Sequence, residues 1–233
     1  MTTFLRSPAE DALAYALLGN PLEWRVAYPE LFRRLGLGSR TQGPVLDYGC
    51  GPGVVASHIA GRYLYDVVGC DVSADMIEAA ERHVARPDVR FLRLASQRVE
   101  GYPDGYFGAA LCAFVLNVID DPRLHQEIAR EIHRLLRPGA PFGLLVPHPD
   151  STGVQFSTCR SGDPGVTYAP GDPMLTRLAS HGRELTVQDY YWPVDWYRSL
   201  LADAGFQDVT AAAPVAGDAE PPQPPFLLVT GRR

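Results

Sequence analysis

Two acidic residues and a run of glycines have the spacing in this sequence best suited to chemistry. Asp47 stands two positions ahead of Gly49-Cys50-Gly51-Pro52-Gly53, and Asp71 ends the next apolar run. Glycine is required where a strand turns sharply into a helix and a ligand must approach the backbone without a Cβ in the way. Such a turn brings bare backbone N–H groups to the carboxyl edge of a parallel sheet, where α/β proteins bind ligands. At the tip of the following strand, Asp71 can accept hydrogen bonds from two vicinal ribose hydroxyls. Bonds to a charged acceptor are worth roughly 1.5–3 kcal/mol each. Together the turn and the acid imply a nucleoside-containing cofactor.

The elements that must position these residues follow from periodicity. Short apolar runs at Val45–Tyr48, Asp66–Asp71, Val89–Leu94, Phe107–Phe114 and Pro141–Val146 read as strands. Helical spacing links them, with Met76, Ile77, Ala80 and Val84 on one face after a Ser73 cap, and Leu124, Ile128, Ile132 and Leu135 on another. Strands joined through amphipathic helices predict a parallel sheet covered on both faces. Ahead of them, helices over 8–18 and about 22–35 predict a lid over the open edge, with Pro29 kinking or splitting the second. Residues 148–182 read as irregular, 184–191 as a strand and Val194–Ala204 as a helix. Phe206–Ala213 and Phe226–Gly231 read as a closing hairpin.

The 233 residues fit a single domain with enough apolar content, 46%, for a packed core. It divides into a helical lid over 1–43, a cofactor-binding core over 44–147, a substrate-side insertion over 148–192 and a closing helix and hairpin over 193–233. A net charge of −6 without a basic stripe argues against a nucleic-acid partner. Cys50, Cys70, Cys112 and Cys159 lack metal-binding spacing, so free thiols and no metal are expected. No run approaches the roughly 18 apolar residues of a membrane span, and no signal peptide is evident. The expectation is a cytoplasmic protein with no membrane partner, a monomer or homodimer acting on a small molecule.

Glycine spacing separates the cofactor classes. Dinucleotide sites use Gly-x-Gly-x-x-Gly, and Val54 occupies the third glycine's position here. A Walker loop needs a lysine, and the sequence contains none. Instead Asp47-Tyr-Gly-Cys-Gly-Pro-Gly53 resembles motif I of the class I S-adenosylmethionine-dependent methyltransferases. Gly69-Cys-Asp71-Val-Ser73-x-x-Met76 is similar to their motif II, and Leu135-Leu-Arg-Pro-Gly139 to the turn before strand 5. The resemblance covers about 45–146, with a tail like that of small-molecule members.

The resemblance implies a Rossmann-like, seven-stranded, mostly parallel α/β sheet with helices on both faces, and S-adenosylmethionine as cofactor. Gly49, Cys50 and Gly51 would lie against its methionine part, and Asp47 would organise the turn or meet the amino group. Asp71 would hold the ribose, while Val72 and Met76 pack on the adenine. Ala95 replaces an acid that members often use for the adenine amine, leaving that contact to backbone or to Ser96. Phe114 would begin the loop beside the sulfur. Arg25 or Tyr15 would pair with the carboxylate.

Methyl transfer from a sulfonium is an in-line displacement, so positioning carries much of the rate. A base is needed only if the nucleophile must lose a proton. His148 is the leading base candidate and a substrate contact, with His181 second. Phe156, Tyr190 and Tyr191, with Tyr168 and Trp192, predict an aromatic wall for a planar or hydrophobic metabolite whose acceptor is O, N or C. The alternative is the same fold binding S-adenosylmethionine without methyl transfer, as a cyclase or regulatory binder.

Overall fold

The computed structural model describes residues 18–39 and 43–233. The predicted helix over 8–18, apart from Leu18, lies outside them, as does Tyr15. The chain enters through a π-helical turn, Glu23–Ala27, followed by α1, Tyr28–Arg34. Pro29 falls in the first turn of α1, directly after the π-helical turn.

Five parallel strands carry the frame: β1 (Val45–Tyr48), β2 (Val67–Asp71), β3 (Val89–Arg93), β4 (Ala109–Ala113) and β5 (Pro141–Pro147). Three helices join them: α2 (Val54–Tyr63), α3 (Ala74–His83) and α4 (Pro122–Leu135). Ser73 Oγ accepts the N–H of Met76 at the start of α3, and Asp121 accepts that of Arg123 at the start of α4.

A second, three-stranded antiparallel sheet follows, made of β6 (Cys159–Ser161), β7 (Pro173–Ser180) and β8 (Arg183–Tyr190). Then come α5 (Val194–Asp203), β9 (Gln207–Ala212) and β10 (Phe226–Arg232). The main sheet has seven strands in the order β3-β2-β1-β4-β5-β10-β9, with β10 antiparallel to both neighbours. The order reverses between β1 and β4, which opens a crevice at their carboxyl ends.

Four of the five parallel strands are almost wholly buried, as expected for a sheet covered on both faces. Helix α1 does more than roof the edge. Leu31 and Leu35 lie flat on β5 at Gly143, where an added Cβ would stand 2.4 Å from Leu31 Cδ1. That helix is a layer of the core, and it reaches the crevice at its first residue, Tyr28, beside Asn20, Glu23 and Trp24 of the segment ahead of it.

The stretch read as irregular contains β6 and β7. Along β7 the buried positions are Met174, Thr176, Leu178 and Ser180, so half of its inward face is hydroxyl-bearing and the alternation is masked. His181 and Gly182, both at positive φ, close the β7–β8 hairpin in two residues. His181 is exposed at that turn, and this removes it as a candidate base.

Candidate active site

The glycine turn is built by its own amides. Gly49 and Cys50 N–H both donate to Cys70 O, at 2.7 and 2.9 Å, and Gly53 N–H donates to Cys50 O at 3.0 Å. Gly51 N–H donates to Asp71 Oδ2 at 3.0 Å, and Ser73 N–H to Asp71 Oδ1 at 2.9 Å. The bare N–H groups expected from the sequence are therefore already engaged. A phosphate needs such donors. What the turn offers a ligand is space at Gly51, where an added Cβ would meet only Met76 Sδ, at 3.9 Å; at Gly49 the missing Cβ admits Val115, whose Cγ2 would stand 2.1 Å from it. Asp71 retains unused lone pairs on both oxygens, because a carboxylate accepts about four hydrogen bonds.

Asp47 is buried directly beneath the turn. Its carboxylate accepts the N–H of Ala56 in the first turn of α2, and Oδ2 has no partner. Burial, reinforced by the charge of Asp71, pushes its pKa up to about 7. A small cavity of about 90 Å³ lies here, bordered by Asp47, Gly49, Cys50, Gly51 and Glu23.

Beside it a larger cavity of about 480 Å³ runs from the turn toward the second sheet. Asp71, Val72 and Met76 line it beside the glycine turn, with Val72 half exposed. Ala95 and Ser96 do not reach it. Both are exposed, and Leu94 and Gln97 stand at the wall instead. Gln97 is held there by Tyr48, whose hydroxyl donates to its backbone oxygen at 2.9 Å. Phe114 lines the cavity at positive φ, its ring edge-on to Phe226 with centroids 5.7 Å apart. Arg25 points elsewhere: its guanidinium donates to Glu220 at 2.7 Å, and the side chain is half exposed.

Residues 45–139 match a family described as a methyltransferase domain. Over 228 residues the chain is 40% identical to the N-demethylindolmycin N-methyltransferase of Streptomyces griseus, an alignment spanning 96% of each protein. This chain is a class I S-adenosylmethionine-dependent methyltransferase. Its fold is shared with an S-adenosylmethionine-dependent methyltransferase from Mesorhizobium loti, with TM-score 0.60, 21% identity, and coverage of 91% of this chain and 98% of that one. It is shared too with DesVI of Streptomyces venezuelae, with TM-score 0.66, 15% identity, and coverage of 98% and 99%.

The methyltransferase's substrate side differs from the aromatic wall expected. Phe156 is buried and lines the cavity, but Tyr190 and Tyr191 do not. Tyr190 accepts from Gln188, and Tyr191 stacks on Tyr168 with centroids 6.2 Å apart. Trp192 donates to Ile119 O and stacks on Trp196 in the core. Residues alternate across a strand, so Asp189 turns inward with Val187 while Tyr190 turns away.

Buried polar residues missed from sequence complete the wall. Asp189 is 1% exposed, and its carboxylate accepts from Thr176 Oγ1 at 2.5 Å and Asn117 Nδ2 at 3.1 Å. Burial pushes its pKa up to about 6. Glu23 borders both cavities, accepts from Asn20 Nδ2 at 2.8 Å, and is pushed by burial up to about 8. Asn20 is fixed in turn by Leu22 N–H and Thr158 Oγ1, both donating to its Oδ1. The signal for Asp189 was available: Leu185, Val187 and Asp189 recur at a spacing of two, which places an acid on an inward face.

His148 is buried at the cavity wall. Its Nδ1 accepts the N–H of Asp150 at 3.2 Å, so the neutral ring carries its proton on Nε2. Burial lowers its pKa, which favours that neutral form. In this arrangement His148 presents a donor to its surroundings, the reverse of what the base role expected from the sequence requires.

Proposed function

We propose that this methyltransferase methylates an amine nitrogen of a small, largely apolar, ring-bearing metabolite in a bacterial biosynthetic pathway. One observation carries the reading: Glu23, Asn117 and Asp189 supply buried hydrogen-bond acceptors to a mostly apolar cavity, and among the described residues no Arg lines it. A nitrogen nucleophile brings N–H donors and gains positive charge as it accepts the methyl group. The buried Asp189 carboxylate stabilises that developing charge more strongly than water does, and Glu23, held protonated by burial, contributes as a neutral hydrogen-bonding group. The named activity of the Streptomyces griseus relative, an N-methyltransferase, supports the same class.

S-adenosylmethionine supplies a methyl group on a sulfonium, transferred to the acceptor's lone pair as the carbon–sulfur bond breaks and a neutral thioether leaves. The residues present fit this cofactor. Asp71 has lone pairs for the ribose hydroxyls, and Val72 and Met76 offer apolar surface for the adenine. Gly49, Cys50 and Gly51 leave room for the methionine part, and the unpartnered Asp47 Oδ2 suits its ammonium group. The fully engaged N–H groups of the turn favour such a cationic neighbour over a pyrophosphate. Phe156, Leu178 and Val187 would hold the acceptor and keep water out. An uncharged amine needs no base before attack, so His148 serves as a wall and donor.

Methyl-labelled cofactor incubated with N-demethylindolmycin and a panel of indole-bearing amines, followed by mass spectrometry, tests the reading. Label on nitrogen is the expected result. Label on oxygen alone overturns the choice of acceptor. Tight S-adenosylhomocysteine binding without turnover of any acceptor would favour a binding protein on the same fold.

A further inference from the structure

The loop after β4 and the second sheet meet at one polar contact inside the cavity wall. Asn117, 5% exposed, belongs to the short 3-10 turn Leu116–Val118 that follows β4. Asp189 comes from β8, 72 residues later. A carboxylate can only accept, so the Asn117 NH₂ must face Asp189, and the 3.1 Å bond fixes the amide's orientation. The carboxylate is itself anchored by Thr176, whose hydroxyl is spent as a donor to it and therefore accepts from Ser161 Oγ at 2.9 Å. With the amide nitrogen committed, Asn117 Oδ1 is left buried and without a partner. A buried acceptor left unpaired is disfavoured, and native proteins keep few of them. Asn117, Asp189, Thr176 and Ser161 all line the cavity.

We propose that Asn117 Oδ1 is the acceptor for a substrate N–H, with Asp189 and Thr176 as positioning residues that hold the amide oxygen available for it. The site would select a neutral or protonated amine, or a heteroaromatic N–H, over an ether or ester of the same shape, because only the former supplies the missing donor. It explains why the second sheet places an acid on an inward strand position: the acid aligns an amide on another segment. The inference rests on the nitrogen-acceptor reading above and assigns it a residue.

Steady-state kinetics on three full-length proteins would test it: wild type, Asn117→Leu and Asp189→Asn. The acceptor is whichever amine the wild type methylates, with S-adenosylhomocysteine calorimetry alongside. Asn117→Leu should lower kcat/KM for the amine about 10- to 100-fold, mostly through KM, with S-adenosylhomocysteine affinity within about twofold of wild type. Asp189→Asn allows the Asn117 amide to flip and should lower kcat/KM by a smaller factor, about 3- to 30-fold, again with cofactor affinity kept. If Asn117→Leu fails to fold, Asp189→Asn decides alone. Amine turnover unchanged in the folded variants overturns the assignment and leaves the nitrogen reading standing. A wild type that methylates hydroxyl acceptors and no amine overturns the reading and the assignment together.

Discussion

The two ends of the cavity are built on different plans. The proposed cofactor end comes from residues close together in the chain: Asp47, the turn at Gly49–Gly53, and Asp71 with Ser73, joined by hydrogen bonds no longer than 3.0 Å. Its shape is fixed by backbone, and side chains mainly avoid obstructing it. The proposed substrate end joins Asn20, Glu23, Asn117, Phe156, Thr176 and Asp189, drawn from five separate segments and linked in part by side-chain bonds across as many as 138 positions. A backbone-made site tolerates little change at its glycines. A side-chain-made site can be retuned residue by residue, which suits a fold that keeps one cofactor while its acceptor varies.

The sharpest way to break this contrast is at the turn. Gly49→Ala puts a methyl group into Val115 at a positive φ, and each effect separately is worth about 1–3 kcal/mol. The expected result is a clear loss of stability in urea and no measurable S-adenosylhomocysteine binding. Full binding in the variant would show that the turn has slack. Next in size is Asp71→Ala, which should weaken the cofactor by roughly 1.5–3 kcal/mol per bond lost. Calorimetry showing unchanged affinity would remove Asp71 from the ribose role.

On the substrate side, Glu23 sharpens the comparison through pH. Its pKa is pushed up from 4.5 to about 8 by burial, so the native state holds a proton that the unfolded chain releases. Its stabilisation is present below about pH 4.5 and lost as pH rises through about 8. Relative to wild type, Glu23→Gln should thus gain stability progressively over that range. Asp47 and Asp189 contribute slopes of the same sign, while the lowered His125 and His148 oppose them at acid pH. Only the difference between the two proteins isolates Glu23, read as melting temperature against pH. A constant difference would mean Glu23 is ionised in the native state.

His148→Ala should leave the shape of the pH–rate profile unchanged while altering KM, since its Nδ1 is already occupied by Asp150 N–H. A lost acidic limb in that profile would restore it as a base. The smallest effect is expected for Arg25→Ala. Arg25 is engaged by Glu220 away from the cavity, and Glu220, its side chain 2% exposed, keeps the N–H and hydroxyl of Ser157 as donors when Arg25 is removed. A tenfold loss of cofactor affinity would show that it turns inward on binding.

The same contrast explains what could be read in advance. The parallel strands, the cap at Ser73 and the closing hairpin were legible because each rests on local periodicity or a single turn. Arg25 and Ser96 were placed by analogy of position, yet their directions depend on partners, Glu220 for one and Arg98 N–H for the other. Strand β7 was hidden because Thr176 and Ser180 sit where apolar residues would have announced it. Tyr190 and Tyr191 drew attention as aromatics, while their neighbour Asp189 held the inward register.

By itself the sequence determined the cofactor, because the glycine turn and Asp71 are separated by one helix and their geometry follows from strand–turn–helix chemistry. Tertiary structure alone decided the proposed acceptor site. Asn117 and Asp189 meet only after the second sheet folds back over the crevice, and an unpaired amide oxygen exists only once everything around it is packed.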